Sequence, residues 1–379
     1  MTKKIYDHLK ITLKTVERQD PSTLSFLSQE TIIAITHFLT TCCLELEISG
    51  IDLIFSGEEP MLQETHRFDE MCTLFKEALN PLVTLIFILK TAGTVFSDTW
   101  IDLIEKHDVH VEVTLNGIGQ FQNICQKNYS SYDEIEKNIQ NFNANTALGK
   151  INPITISHIV DLSEDPVEIY NYLRQNLKAH SMDFLLPHHT QDTFSQDPLL
   201  YGEFLCDLFD VWTEENNPTV RVSIFNQTIE YLKMSFETSN SFLTNEISTT
   251  SYNHKPYPKR KYREFTISST GALKSPDALR QASSCWTWGN ENVKNTSLSE
   301  YLQSPLSKNL YDSAQILPNP CQGCCRKKIC RGGSMINRYS QETGFDNPTV
   351  YCVGLKLFFT HVANHLTHRE YCLSKPGLL

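Results

Sequence analysis

The chain lacks a positive charge balance, a long apolar run and a secretion signal. Its 379 residues carry 33 Lys and Arg against 44 Asp and Glu, a formal net charge of −11. That balance excludes general binding to nucleic acid or to anionic membrane, both of which need a cationic surface. No apolar stretch approaches the roughly eighteen residues of a membrane-spanning helix, and Met1–Asp7 has no signal-peptide core. A cytoplasmic protein is therefore expected, and the Asn-x-Ser/Thr triplets at Asn128, Asn226 and Asn295 mean nothing without secretion. Gly and Pro are modest, at 15 and 16, while 40% of residues are hydrophobic and 20% charged. This is a globular composition, long enough for one large α/β domain and a smaller one. Cysteine is not scarce. Twelve of them in a cytosolic chain point to metal or cluster chemistry, because disulfides do not persist there.

From residue 8 to about 240, short β-rich runs alternate with helical patterns. The strand candidates are Leu9–Leu13, Ile51–Phe55, Leu82–Leu89, Val109–Leu115, Ile154–Ile159, Met182–Leu186 and Val220–Phe225. Amphipathic stretches lie between them at Glu30–Leu46, Gln63–Leu79, Trp100–His107, Tyr132–Phe142, Val167–Ala179 and Leu200–Glu214. Repeated βα units of this length imply a parallel sheet curling toward a full or partial barrel, with reactive groups at the strand C-termini. The pattern breaks at Ser239–Ser251, a Ser/Thr/Asn-rich linker. Beyond it, Glu264–Ser269 and Ala272–Ser275 read as a hairpin through Thr270-Gly271, and Val353–Leu366 as a helix. The expected domains are residues 1–240 and 252–379. The second has little apolar content of its own, so a bound metal centre would supply much of its stability.

That second domain contains the ladder Cys321-x2-Cys324-x5-Cys330-x3-Ser334-x17-Cys352. Four thiolates in about thirty residues can enclose a four-iron cluster or a tetrahedral zinc. Arg326, Lys327, Lys328 and Arg331 surround them, offsetting thiolate charge or forming a solvated face. Cys42, Cys43, Cys72, Cys125 and Cys206 sit on apolar helical faces and read as core thiols, leaving Cys285, Cys325 and Cys372 unassigned. His188 and His189 follow a strand and read as plain surface sooner than as a metal site. The run Lys255–Arg263 is basic and interleaved with tyrosine, either a contact for a peptide or partner protein or a solvated linker.

The ladder resembles the SPASM domain of radical SAM peptide maturases, with anaerobic sulfatase maturases the nearest pattern. Its surroundings agree: Gly271-x5-Asp277, Trp288-Gly289-Asn290, Gly332-Gly333 and Gly344-Phe345-Asp346-Asn347-Pro348. Upstream, Phe55-Ser-Gly57-Glu58-Glu59-Pro60 is similar to the family's Phe-Ser-Gly-Gly-Glu-Pro, Thr91-Ala-Gly93 to its Thr-Asn-Gly, and Thr114-Leu-Asn-Gly117 to its Ser-Leu-Asp-Gly. The resemblance covers nearly the whole chain and implies a partial (β/α) barrel of radical SAM type joined to a SPASM-like domain.

The departures from the family fall at its cluster ligands. The defining Cys-x3-Cys-x2-Cys occurs nowhere; Thr15, Gln19 and Ser22 stand at its spacing after the first strand. Without it there is no anchor for SAM and no electron donor, since such chemistry belongs to the cofactor. The resemblance also implies a first auxiliary cluster whose ligands are all missing, with Pro276 before Asp277 and Ser334 in the ladder. The second auxiliary site keeps Cys321, Cys324, Cys330 and Cys352. One [4Fe-4S] cluster is therefore expected there, with Zn2+ as the alternative, and no SAM. Gly57, Glu58 and Glu59 are the residual SAM-binding segment, though Glu58 replaces a glycine that lets a ligand approach. Asp277 matches the family's catalytic aspartate and is the residual catalytic candidate, with hydrogen bonding or capping as its alternative role.

The implied function is a non-catalytic member of a heterodimer, working with an active radical SAM maturase, with a precursor peptide, or with both. No leader-peptide domain is expected ahead of a first strand that starts near residue 9. Two alternatives stand beside this. One is an enzyme with cluster-independent chemistry, in which Glu58, Glu59, Asn116 or His188 would converge on a ligand-sized pocket. The other is a zinc-stabilised scaffold.

Overall fold

Apolar residues at alternate positions from Leu9 to Leu13 set the first strand, and the same two-residue period recurs at Val109–Leu115, while Leu85–Leu89 is a continuous apolar run. The computed structural model of the protein describes residues 8–20, 23–46, 48–115, 132–239, 262–286 and 290–374. In chain order the elements are β1 (His8–Asp20), β2 (Thr23–Phe26), α1 (Gln29–Leu46), β3 (Gly50–Gly57), α2 (Thr65–Leu79), β4 (Thr84–Thr91), α3 (Asp98–His107), β5 (Val109–Leu115), α4 (Tyr132–Ala147) and β6 (Thr155–Ile159). There follow α5 (Pro166–Gln175), β7 (Ser181–Leu185), α6 (Pro198–Glu215), β8 (Arg221–Val222) and α7 (Ser223–Ser239). The remainder is β9 (Tyr262–Ile267), β10 (Leu273–Lys274), α8 (Asp277–Ala282), α9 (Leu298–Gln303), α10 (Pro305–Gln315), α11 (Lys327–Cys330), α12 (Met335–Arg338) and α13 (Cys352–Ser374).

Two compact units result. The first takes Met1–Ile159, Tyr172–Ser181 and Arg260–Ile316; the second takes Val160–Asn171, Met182–Lys259 and Leu317–Leu379. In the first, strands run in the order β10-β9-β1-β3-β4-β5-β6. All pairings from β9 to β6 are parallel, and β10 folds back antiparallel on β9. The hairpin expected at Glu264–Ser275 is thus present, and its first strand extends the sheet beside β1.

The alternation has a physical consequence. Leu9, Ile11, Leu13, Leu53, Phe55, Phe87, Leu89, Val111 and Val113 are buried on one face. Phe55 contacts Phe68 of α2 at 5.1 Å between ring centroids, and Phe68 contacts Trp100 of α3 at 4.9 Å. Each such side chain contributes roughly 1.5–3 kcal/mol by leaving water. Ser97 caps α3 by accepting from Trp100 N–H at 3.3 Å, and Asp108 ends it in a left-handed turn. The other face mixes the apolar Ile54, Ile86 and Ile88 with polar side chains such as Asp52, Lys90 and Glu112. Among them Lys90 donates to Glu112 at 3.0 Å and Ser157 to the same carboxylate oxygen at 3.1 Å.

In the second unit α6 and α13 cross at glycines. A Cβ on Gly354 would stand 2.0 Å from the Pro198 carbonyl oxygen, and one on Gly202 2.4 Å from the Gly354 carbonyl oxygen. Around the crossing, Phe225 packs edge-to-face on Phe209 and tilted on Phe358, with centroid distances of 5.4 and 5.8 Å, and Asp210 pairs with His361 at 2.6 Å. The strand expected at Val220–Phe225 ends at Val222. Asn226 Oδ1 accepts from Val222 N–H at 3.0 Å, and buried Phe225, Thr228 and Leu232 follow helical spacing, so α7 takes over at Ser223. The linker at Ser239–Ser251 lies outside the described residues beyond Ser239. No helix among the described residues is long and apolar enough to cross a membrane.

Candidate functional site

The chain carries two candidate regions, one in each unit. In the first unit, β1 does not end where the resemblance puts a cluster-binding loop. It continues through Thr15 to Asp20 and folds back as an antiparallel hairpin, pairing Val16 with Phe26, Glu17 with Ser25 and Arg18 with Leu24. Thr15 is fully buried at a register shift, its hydroxyl donating to Ser56 O at 3.4 Å and its carbonyl accepting from Leu27 N–H at 3.0 Å. Ser22 and the side chain of Gln19 lie outside the described residues.

The polar residues of this hairpin are engaged by the protein itself. Lys14 pairs with Asp277 at 2.5 Å and reaches Ser56 Oγ at 3.5 Å; Asp277 also accepts from Arg280. Arg18 pairs with Glu58 at 3.2 Å. Glu17 accepts from Ser269 N–H at 2.6 Å and its hydroxyl at 2.8 Å, with Lys274 at 3.8 Å. Burial alone would raise the Asp277 carboxyl, but Lys14 and Arg280 together outweigh it and hold it below the usual aspartate range.

The three SAM-segment residues are likewise occupied. Gly57 has φ +145, and any Cβ there would lie 2.0 Å from the Val16 carbonyl oxygen, so this glycine is needed for contact with β1. Glu58 donates its N–H to that same oxygen at 3.0 Å while its side chain faces Arg18. Glu59 is buried and points elsewhere. Its carboxylate accepts from Thr91 Oγ1 at 2.8 Å, Thr94 Oγ1 at 2.9 Å, Ala92 N–H at 3.1 Å and Met61 N–H at 3.2 Å. Burial pushes its pKa up, and these donors pull against that. Glu58 and Glu59 therefore do not converge, and Asn116 lies outside the described residues.

In the second unit, Cys321, Cys324, Cys330 and Cys352 line one pocket open to solvent. A turn at Asn319–Cys321 delivers the first thiol, and Cys321 O accepts from Cys324 N–H at 3.1 Å. Cys330 closes α11, and Arg331 turns the chain away in the left-handed region. Cys352 opens α13, which places Leu355, Lys356 and Phe359 on the same side at helical spacing, all of them pocket-lining. Sequence reading passed over these three; the helix beginning at a ladder cysteine was the available signal.

Burial raises the Cys321 thiol, with Cys352 and Cys324 adding to the rise and Arg338 and Lys356 opposing it. Burial also lifts Cys330, to about 11, against the Gly332 N–H. The four groups thus feel one another, and deprotonating them together calls for a cation to take the charge. Among the described residues, no three His, Cys, Asp or Glu side chains stand close enough to hold a single metal ion. The donor chemistry, four soft thiols with Arg326, Lys327 and Lys356 at the same pocket, is of the kind that both zinc and iron–sulfur groups take. Ser334, in the ladder position, is exposed and does not line the pocket.

Comparison with known proteins decides the relationship. The chain is 21% identical over 317 residues to the cysteine-type anaerobic sulfatase-maturating enzyme of Clostridium perfringens (strain 13 / Type A), covering 81% of this chain and 80% of that protein. It is 22% identical to the serine-type enzyme of Bacteroides thetaiotaomicron, covering 73% and 68%. A solved structure of native anSMEcpe with bound AdoMet and the Cp18Cys peptide superposes with a TM-score of 0.68 at 18% identity, covering 95% of this chain and 98% of that one. The chain is a distant homologue of the anaerobic sulfatase-maturating enzymes. No family model matches it. It shares the α/β fold of these sulfatase maturases, with a parallel sheet of the radical SAM type and a cysteine-rich C-terminal region, as the resemblance implied.

The other singled-out residues fall away from both regions. His189 packs on Phe194 at 5.7 Å, and its carbonyl accepts from Asn337 at 2.8 Å, within a loop stapled to residues 337–351. Cys42, Cys43, Cys72 and Cys206 are buried, and burial pushes Cys43 to about 11 and Cys206 to about 12, which keeps them inert thiols. Cys285 and Cys325 are exposed; Cys125 and the Cys372 side chain lie outside the described residues. So does the basic run from Lys255, except for its end. There Arg263 is buried, donates to Leu302 O at 2.7 Å and stacks on Tyr311 at 4.1 Å, a packing role and not a surface one.

Proposed function

We propose that this chain is a catalytically inactive derivative of the sulfatase maturases that works as a partner protein in peptide or protein modification. It binds the precursor peptide, an active maturase subunit, or both, and holds one auxiliary four-iron cluster on Cys321, Cys324, Cys330 and Cys352. The observation that carries this reading is the β1–β2 hairpin. Where a radical SAM enzyme needs three thiolates and an open iron, this chain puts a buried threonine and ion pairs between its own residues. Lys14, Glu17, Arg18, Glu58 and Asp277 are all spoken for by protein partners, so a SAM-like zwitterion would have to break several of these contacts to enter. An iron–sulfur group, once bound, supplies either an electron relay or a cross-link that ties α11, α13 and the Cys321 turn together.

The test is elemental. Iron, acid-labile sulfide and zinc are counted per chain after anaerobic purification, in the wild type and in Cys321→Ala/Cys324→Ala. About four iron and four sulfide, absent from the variant, support the reading. About one zinc without sulfide replaces the cluster by a structural site. Release of 5′-deoxyadenosine from SAM by the chain alone overturns the inactivity.

A further inference from the structure

Around the cysteine pocket the charge of the chain reverses. No Asp or Glu occurs between Leu317 and Gln341, while Arg326, Lys327, Lys328, Arg331 and Arg338 all fall in that stretch of a protein whose net charge is −11. These cations divide into two sets. Arg326, Lys327 and Lys356 line the pocket, and Arg338 is buried with its guanidinium on the Phe345 carbonyl. Those four can answer the thiolates. Lys328 and Arg331 are exposed, do not line the pocket, and have no carboxylate partner among the described residues. Their charge is not needed inside.

The helix α13, whose Cys352 lines the same pocket as Cys330 of α11, turns an apolar stripe to solvent. Val353 and Leu357 are 49% and 37% exposed, one turn apart, and Thr360 continues the row. Arg326 donates to Thr360 Oγ1 at 3.1 Å, which fastens the start of the basic α11 segment against that stripe. A cationic edge bordering exposed aliphatic side chains is complementary to one kind of occupant: a segment that alternates carboxylates with aliphatic residues. Nucleic acid fits less well, since the net negative charge repels a polyanion at range and no exposed aromatic side chain of the stripe offers a base to stack on.

We propose that Lys328, Arg331 and the Val353–Leu357 stripe form a docking surface for an acidic, aliphatic-bearing peptide segment of the partner. The proposal rests on the reading of the chain as a peptide-handling partner protein and names the chemistry that partner must present. The cationic edge steers the segment and fixes its register, and the stripe removes its aliphatic side chains from water.

The probe is a fluorescein-labelled peptide of about twelve residues alternating Glu and Leu, with a Gln-for-Glu control, titrated by anisotropy into the anaerobically purified full chain. The Glu peptide is expected to bind, and to weaken at least about tenfold as NaCl rises from about 50 to about 300 mM. Lys328→Glu/Arg331→Glu is expected to lose at least about tenfold in affinity and Val353→Ser/Leu357→Ser about fivefold, both with unchanged metal content. Equal binding of the Gln control, or undiminished binding by the charge-reversal variant, overturns the proposal. So does tighter binding of an oligothymidylate of equal charge, which assigns the surface to nucleic acid. Absent peptide binding with iron and sulfide present and no SAM cleavage sinks the docking surface alone; SAM cleavage with intact peptide binding sinks the partner reading alone.

Discussion

Alanine at Gly57 separates two reasons for a glycine at this strand end: contact with the chain's own backbone, or room for a ligand. The Cβ would meet the Val16 carbonyl oxygen at 2.0 Å and the Val16 carbonyl carbon at 2.9 Å, and neither can rotate away as a side chain could. The positive φ costs about 1–3 kcal/mol for an L-residue. Parting Val16 from the Glu58 N–H it accepts at 3.0 Å costs about 0.5–1.5 kcal/mol more. Gly57→Ala should therefore destabilise the first unit by about 3 kcal/mol. Gly149 supplies the control, with φ +71 and no heavy atom within 4 Å of its would-be Cβ. There the strain is about 1–2 kcal/mol and is partly offset by a stiffer unfolded chain, leaving about 1 kcal/mol or less. The readout is amide hydrogen exchange at Glu58 and Leu27, whose N–H groups tie the hairpin down, alongside urea unfolding. If the two variants agree within about 0.5 kcal/mol, and exchange at Glu58 is unchanged, the packing argument is refuted and a ligand-facing role for Gly57 returns.

Three further outcomes follow from the same geometry. Lys14→Met should cost about 1 kcal/mol at neutral pH, because the Lys14–Asp277 pair is partly solvated. Asp277 sits below its ordinary value of 3.8 when folded, so its contribution is present above that value and is lost as pH falls through the folded one. The gap between wild type and Lys14→Met should thus close as pH falls through the folded value of Asp277, and a gap that stays constant into strong acid contradicts the pairing. Thr15→Cys/Gln19→Cys/Ser22→Cys should gain no iron over the wild type, since position 15 is fully buried under the hairpin; about four extra iron per chain would show that the hairpin yields readily. Gly354→Ala should destabilise by more than about 2 kcal/mol, although alanine in an unpacked helix stabilises by about 1 kcal/mol over glycine; a thermal shift upward would mean that α6 and α13 are not in contact there.

Much of the fold was legible because short apolar runs, alternating in β1 and β5 and continuous in β4, recur between helical stretches. Val109–Leu115 was read to the residue, and Ile51–Phe55 fell inside β3. The exception is informative. Residues 14–20 fell outside the strand expected at Leu9–Leu13 because Lys14, Thr15, Glu17, Arg18, Gln19 and Asp20 are polar, and no local pattern marks them as strand. Their partners are remote in sequence: Glu58 lies 40 residues from Arg18 and Ser269 lies 252 from Glu17. A strand satisfied by distant ionic partners leaves no periodicity for a short window to detect. The cysteine ladder was legible for the opposite reason, since ligand spacing is local and α13 begins at its last member.

The changes in the first unit are better understood as one change than as several. Removing three cluster cysteines from a strand-end loop would leave polar backbone and the inner sheet edge without partners, at a cost of about 1–3 kcal/mol for each group left buried and unbonded. In this chain the same segment instead pairs with β3 and β2 and carries the charged side chains Lys14, Glu17 and Arg18, each matched by a residue of a different segment: Asp277, Ser269 and Glu58. Two of those partners coincide with positions where the resemblance placed chemistry, the aspartate beside a lost ligand and the glutamate in place of a glycine. A charge at residue 58 is costly in a ligand site but favourable opposite Arg18, and the Asp277 carboxylate is favourable opposite Lys14. Removing one member of either pair would therefore leave a part-buried charge behind. On this argument stability now selects for the closed arrangement, and single back-substitutions toward the maturase pattern (Glu58→Gly, or Lys14→Ala to free Asp277) lower stability without conferring SAM binding, which isothermal titration calorimetry on each variant decides.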